Sequence, residues 1–219
     1  MLKLFNTFTR RKEIFKVSRR AKRVGFYFCG PTVYDYAHIG NLRAYLFADL
    51  LRRYLESLGY QVKFVMNITD VDDKTIRNSK KGNISLKEFT RRYEKAFFED
   101  ISKLGIKSAN VYPRATEHVN GMVELINQLL KKGIAYVGPD GIYYNISKFK
   151  DYGKLSKIEI KKLKAGARVK QDEYTKEQAQ DFALWKAWSA DDGNVFWNAS
   201  YAGKDKKKWK RDEKLSRQT

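Results

Sequence analysis

Apolar residues along this chain fall into short continuous runs and into stripes at three- and four-residue steps, the alternation expected of an α/β protein. Val24 to Phe28 form a short apolar and aromatic run bounded by Gly30-Pro31, which predicts a buried strand. Beyond Gly40, Leu42, Leu46, Leu50, Leu51, Tyr54, Leu55 and Leu58 predict an amphipathic helix closed by Gly59. Val62 to Met66 then predict a second strand. Strand, helix and strand in this order predict a βαβ unit, whose ligand sits at the carboxyl end of the strands beside the helix N-terminus.

Further on, Ser85-Leu86-Lys87-Glu88 has the pattern of a capping box and opens a helix through about Lys103, with Phe89, Tyr93, Ala96, Phe97 and Ile101 inward and Gly105 past its end. Thr116 is expected to open another helix, striped by Val119, Met122, Val123, Ile126, Leu129 and Leu130 and followed by Gly133. Ile134 to Val137 and Ile142 to Ile146, split by Gly138-Pro139-Asp140-Gly141, predict a β-hairpin. Lys148 to Lys176 is polar and basic, read as loop with some helix. Asp181 to Trp185 predicts a strand returning to the core sheet.

Composition limits the partners. The chain has 219 residues and is 42% hydrophobic, enough for a packed core in one large or two small domains. Lys and Arg total 45 against 25 acidic residues, a formal charge of +20, which predicts attraction to a polyanion, RNA first. No apolar run approaches the roughly eighteen residues of a membrane span, and the basic stretch Met1 to Arg23 lacks an apolar signal core. One cysteine leaves no internal disulfide and fits a reducing, cytoplasmic setting.

Candidate chemistry gathers at the first strand-to-helix junction, where Cys29 and Gly30 leave the strand and His38, Gly40 and Asn41 enter the helix. Amides and the positive helix end at Gly40 to Arg43 favour an anion, and His38 and Asn41 can hydrogen-bond phosphate oxygens. Read singly, a histidine here is a cap and a lone cysteine a small buried hydrophobe. Asp70, Asp72 and Asp73 read either as a magnesium cluster or as helix caps, and take no assigned role. His118 reads as structural or RNA-facing rather than as a ligand.

The run Cys29-Gly30-Pro31-Thr32-Val33-Tyr34-Asp35-Tyr36-Ala37-His38-Ile39-Gly40-Asn41, followed by Asn67-Ile68-Thr69-Asp70-Val71-Asp72-Asp73-Lys74, resembles the cysteinyl-tRNA synthetases. The likeness continues through Leu4-Phe5-Asn6-Thr7, Pro113-Arg114-Ala115-Thr116-Glu117-His118, Tyr152-Gly153-Lys154-Leu155-Ser156, Ala165-Gly166-Ala167-Arg168-Val169 and Asp181-Phe182-Ala183-Leu184-Trp185-Lys186, to about Gly203. It implies the Rossmann-like α/β catalytic domain of a class I aminoacyl-tRNA synthetase, incomplete here and carrying an inserted connective segment near the tRNA acceptor end. In that frame residues 1–84 are the first half of the catalytic domain, 85–180 the insertion, 181–203 the start of the second half and 204–219 a basic tail. The implied reaction joins cysteine to tRNA-Cys through attack of the cysteine carboxylate on ATP, with Mg2+ accompanying the nucleotide. His38 and Asn41 match the catalytic, phosphate-facing positions, which implies that they and Gly40 would bind ATP. Cys29, Gly30 and Thr69 match the amino-acid pocket, with Cys29 also a ligand to Zn2+; a soft metal holding the substrate thiolate rejects serine without an editing domain.

The resemblance also marks departures. Zinc takes about four ligands, at least three from protein at a catalytic site, and the further cysteine, histidine and glutamate of the family fall beyond the matching region. Also unmatched are the mobile lysine-rich loop of the family and its anticodon-reading helices. From Lys204 to Thr219 the chain has eight basic residues against three acidic, a composition too polar to pack. The expectation is an N-terminal part truncated or frameshifted after about Gly203, or completed by a second polypeptide, without efficient aminoacylation alone. Two other readings stand beside it: a noncatalytic RNA-binding remnant, and a relative that ligates cysteine to an amino sugar.

Overall fold

In the computed structural model, which describes residues 2–17, 22–138, 140–157, 181–199 and 201, the chain opens with β1 (Lys3–Asn6) paired antiparallel to β2 (Arg11–Ile14). The predicted βαβ unit follows as β3 (Arg23–Phe28), α1 (Ile39–Ser57) and β4 (Gln61–Met66). β3 and β4 are parallel, with Val24 opposite Val62 and Phe28 opposite Met66. Parallel strands need a crossover, and α1 supplies it.

A third parallel segment lies on the other edge of β4 and had no counterpart in the apolar pattern. The N–H groups of Met66 and Ile68 donate to the carbonyls of Val111 and Pro113, and those of Asn110 and Ala115 donate back to Phe64 and Ile68. Only isolated bridges form, and Pro113 has no N–H to extend the ladder. Between them run α2 (Asp73–Lys81) and α3 (Leu86–Lys103). The Ser85 hydroxyl accepts the Glu88 N–H at 3.2 Å, as the capping pattern required.

Phe64, Met66, Ile68, Val33, Val71 and Ile76 are buried, and the Tyr45 ring meets those of Phe28 and Phe97 edge to face. The buried face of α1 differs from the expected one. Tyr45, Ala48, Asp49, Arg52 and Leu55 turn inward, whereas Leu46, Leu50, Tyr54 and Leu58 of the expected stripe are exposed. Charged residues occupy the inner face because each has partners. Arg52 reaches Glu56 and the carbonyl of Ser108, and Asp49 takes the N–H of Lys107 and the guanidinium of Arg53.

The second compact unit holds the β1–β2 hairpin, most of α4 (Val119–Lys131), and β5 (Ala135–Val137), β6 (Gly141–Tyr144) and β7 (Phe182–Lys186). Thr116 does not open α4: it sits in a 3-10 turn, Ala115–Glu117, tied to Asp70. The predicted hairpin is β5–β6, in antiparallel register with Ala135 opposite Tyr144. The strand expected to rejoin the core sheet is β7, but it pairs antiparallel with β6. Trp185 and Ile142 are fully buried there, and cross-strand stacking of Tyr144 on Phe182 at 5.0 Å adds to the same sheet.

The compact division at about residue 119 does not coincide with the boundary read at 84/85, because α3 and the 110–115 segment belong with the βαβ unit. Much of the Lys148–Lys176 stretch and the basic tail lie outside the described residues. Among the described residues no helix is long and apolar enough to cross a membrane.

Burial pushes the Tyr45 hydroxyl up to about 12, with the neighbouring Cys29 thiol adding to it. An unfolded chain releases this proton near pH 10 while the folded one keeps it. Stability from neutral Tyr45 is therefore complete below pH 10 and is lost as pH rises towards 12, by about 2 kcal/mol. Urea unfolding between pH 8 and 12 should fall less steeply in Tyr45→Phe than in the parent chain.

Candidate active site

Two loops meet at the carboxyl end of the parallel strands. β3 delivers Cys29 and Gly30; the chain then bends through Pro31 and Thr32 to the start of α1; β4 delivers Asn67, Ile68 and Thr69. The two run side by side. The Thr69 N–H donates to the Pro31 carbonyl at 2.9 Å, and the Val33 N–H donates to the Thr69 carbonyl at 3.1 Å.

His38 is the N-cap of α1, and its contacts are reciprocal with Asn41. Its Nδ1 accepts the Gly40 N–H at 3.1 Å, and its own N–H donates to Asn41 Oδ1 at 3.2 Å. A Cβ at position 40 would lie 3.0 Å from the imidazole Cε1, so glycine here makes room for the ring to fold over the helix end. The chemical consequence is specific. With Nδ1 accepting, a neutral imidazole carries its proton on Nε2, and with Oδ1 accepting, Asn41 has its Nδ2 hydrogens free. His38 is exposed and Asn41 half-buried, so the helix end offers side-chain donors to an anion. Bare amides are fewer than the sequence implied: those of Gly40, Asn41 and Leu42 are all taken, by the imidazole or by the His38 carbonyl.

Cys29 is exposed and carries a free thiol. The next residue is held closely: the Gly30 N–H donates to Asn67 Oδ1 at 3.0 Å. A Cβ on Gly30 would fall 1.7 Å from the Asn67 carbonyl oxygen, so no other residue fits this approach. Asn67 also accepts the Tyr27 hydroxyl at 3.0 Å and donates through Nδ2 to Thr69 Oγ1 at 3.1 Å.

The acidic residues beyond β4 are used by the fold. Asp70 is buried and accepts the Thr116 N–H at 2.9 Å and its hydroxyl at 2.5 Å. Asp72 caps α2 by accepting the Lys74 N–H at 2.8 Å, and Asp73 lies in that helix's first turn. His118 is exposed at the end of the 3-10 turn.

Among the described residues no three His, Cys, Asp or Glu side chains gather in a group able to hold a metal ion. Cys29 offers one soft donor where a catalytic zinc needs at least three from protein. The described residues therefore do not by themselves fit a zinc ion.

Sequence reading brought His38, Gly40, Asn41, Cys29, Gly30 and Thr69 forward, and all six lie at this strand end or the adjoining helix start. It assigned no role to Asn67. Asn67 stood in the run that carries the family resemblance, and its place at the close of a strand, two residues before Thr69, was the further signal.

The family described as tRNA synthetases class I (C) catalytic domain matches residues 15–211. The cysteine–tRNA ligase of Brachyspira hyodysenteriae is 54% identical over 207 residues, 94% of this chain and 43% of that protein. That of Methanosarcina mazei is 54% identical over 187 residues, 85% of this chain and 39% of that protein. The chain thus spans less than half the length of these curated relatives. Among solved structures, Mycobacterium tuberculosis methionyl-tRNA synthetase bound by methionyl-adenylate aligns with a TM-score of 0.47 and 20% identity, over 52% of this chain and 23% of that one.

Proposed function

Because the chain belongs to the family of class I (C) tRNA synthetase catalytic domains, we propose that it carries the amino-acid-activating part of a cysteine–tRNA ligase. In the proposed reaction a cysteine carboxylate oxygen attacks the α-phosphorus of ATP, the bond to the bridging oxygen breaks, and pyrophosphate leaves with that oxygen. The aminoacyl group then passes from the adenylate to the 3′-terminal ribose hydroxyl of tRNA-Cys, releasing AMP.

No side chain is consumed in this scheme, so the protein acts by positioning and by stabilising charge. The observation that carries the reading is the His38–Asn41 box. With Nδ1 and Oδ1 accepting, it leaves one imidazole N–H and one carboxamide NH2 as donors at the helix start, which suits a phosphate chain developing negative charge. Cys29 and Thr69 flank the same strand ends and would face the amino acid. Mg2+ would arrive with ATP, and Cys29 would contribute one donor to a zinc ion whose other donors are not among the described residues. The segment read as residues 85–180 would lie towards the tRNA acceptor end, in a cytoplasmic enzyme.

The test is pyrophosphate exchange into ATP by the purified chain, with cysteine, with serine and with neither. Cysteine-stimulated exchange is expected, below that of the full-length Brachyspira hyodysenteriae ligase and abolished in His38→Ala. The formal charge of +20 favours a second reading, a noncatalytic RNA-binding module. Salt-sensitive tRNA binding with no cysteine-stimulated exchange would decide for it.

A further inference from the structure

We infer that Asn67 is the positioning residue of this site, a single carboxamide that holds the thiol-bearing loop and sets the Thr69 hydroxyl as a donor. The inference rests on the reading above, in which Cys29 and Thr69 face the amino acid.

Three hydrogen bonds converge on this one side chain. Its Oδ1 accepts from the Gly30 backbone N–H and from the Tyr27 hydroxyl, both at 3.0 Å, and its Nδ2 donates to Thr69 Oγ1 at 3.1 Å. A backbone N–H can only donate, so it fixes which end of the carboxamide is oxygen. The other end must then be the NH2 group, and Thr69 must accept from it. Thr69 keeps its own O–H to offer elsewhere. Asn67 therefore determines polarity as well as place: the pocket wall presents a donor, suited to an acceptor such as a carboxylate or carbonyl oxygen.

The same contact governs Cys29. The thiol sits between β3 and Gly30, so its direction follows the loop that Gly30 closes onto β4. Backbone packing already limits that loop, as the Gly30 approach shows; the carboxamide adds the directional bond. Neither aspartate nor alanine at position 67 can reproduce both functions. Aspartate still accepts from Gly30 and cannot donate to Thr69; alanine does neither.

The experiment reads the loop-holding function in the purified chain, at Gly30 and at Cys29. Amide hydrogen exchange at Gly30, followed by NMR, reports the loop bond. The rate of iodoacetamide alkylation at a fixed neutral pH reports the presentation of Cys29, the one cysteine in the chain. Asn67→Ala is expected to speed Gly30 exchange at least tenfold and to change the alkylation rate at least threefold, with exchange in α3 unchanged. Asn67→Asp should restore Gly30 protection to within threefold of the parent, a rescue that general loosening of the fold would not give. If Asn67→Ala does not fold, the Asp variant decides alone: an unprotected Gly30 amide in it overturns the proposal. So does an Asn67→Ala chain whose two rates stay within twofold of the parent. These readouts need no nucleotide, metal or tRNA. A chain that fails at pyrophosphate exchange yet shows them refutes the ligase reading and leaves the positioning role standing.

Discussion

Gly30→Ala should cost about 3 kcal/mol or more and take the βαβ unit with it, since among the described glycines none has a tighter approach at its Cβ position. The added carbon would stand 1.7 Å from the Asn67 carbonyl oxygen and 2.9 Å from Met66 Cγ. The methionine can move, but the carbonyl cannot. Its neighbours Met66 and Ile68 donate backbone bonds to Val111 and Pro113 at 3.1 and 2.8 Å, so displacing residue 67 breaks the sheet on its far edge. Gly25, within β3, is the control, since nothing lies within 4 Å of a Cβ there. Gly25→Ala should change stability by less than about 0.5 kcal/mol. Urea unfolding followed by far-UV circular dichroism compares the two. Equal small costs would mean that the strand ends are not packed as closely as described.

How far the sequence exposes this arrangement depends on the range of the forces involved. β3, α1 and β4 were readable because their apolar runs have a strand or helix period and end at Gly30-Pro31 and Gly59, features local in the chain. The partner of β7 was not readable. Phe182 to Lys186 has the composition of a core strand, but which edge it joins depends on residues some forty positions away on β6. The inner face of α1 misled for a related reason. Leucine at three- and four-residue steps predicts burial only where something apolar covers it, whereas Arg52 and Asp49 are buried because residues 107 and 108 satisfy them. At the site, the His38–Asn41 spacing is a local signal and was legible. Asn67 was not, because two of its three bonds run to Tyr27 and Gly30, 40 and 37 residues earlier.

Arg52→Met tests the clamp that supports the strand end from behind, and about 3 kcal/mol of destabilisation is expected. Arg52 is 4% exposed, and its guanidinium donates to Glu56 at 3.0 Å, to the Ser108 carbonyl at 2.5 Å and, at 3.5 Å, to the Lys107 carbonyl and Asn110 Oδ1. It also covers the Phe64 ring at 5.5 Å from the centroid. Methionine replaces the apolar stem and leaves the Ser108 carbonyl without this donor. The charge on Glu56 contributes less: its carboxyl is held below the usual range chiefly by the hydrogen bond from Lys107, with Arg52 a lesser cause. Glu56 is partly open to water, so Glu56→Gln should cost under about 1 kcal/mol. Lysine cannot substitute for the planar fork, and Arg52→Lys should resemble Arg52→Met rather than the parent chain. The distinction matters for the site because Ser108 leads directly into the 110–115 segment, which bonds both sides of Ile68 and so seats Thr69. Denaturant midpoints of the three variants decide whether geometry or charge holds it. A Glu56→Gln chain as unstable as Arg52→Met would make the clamp Coulombic.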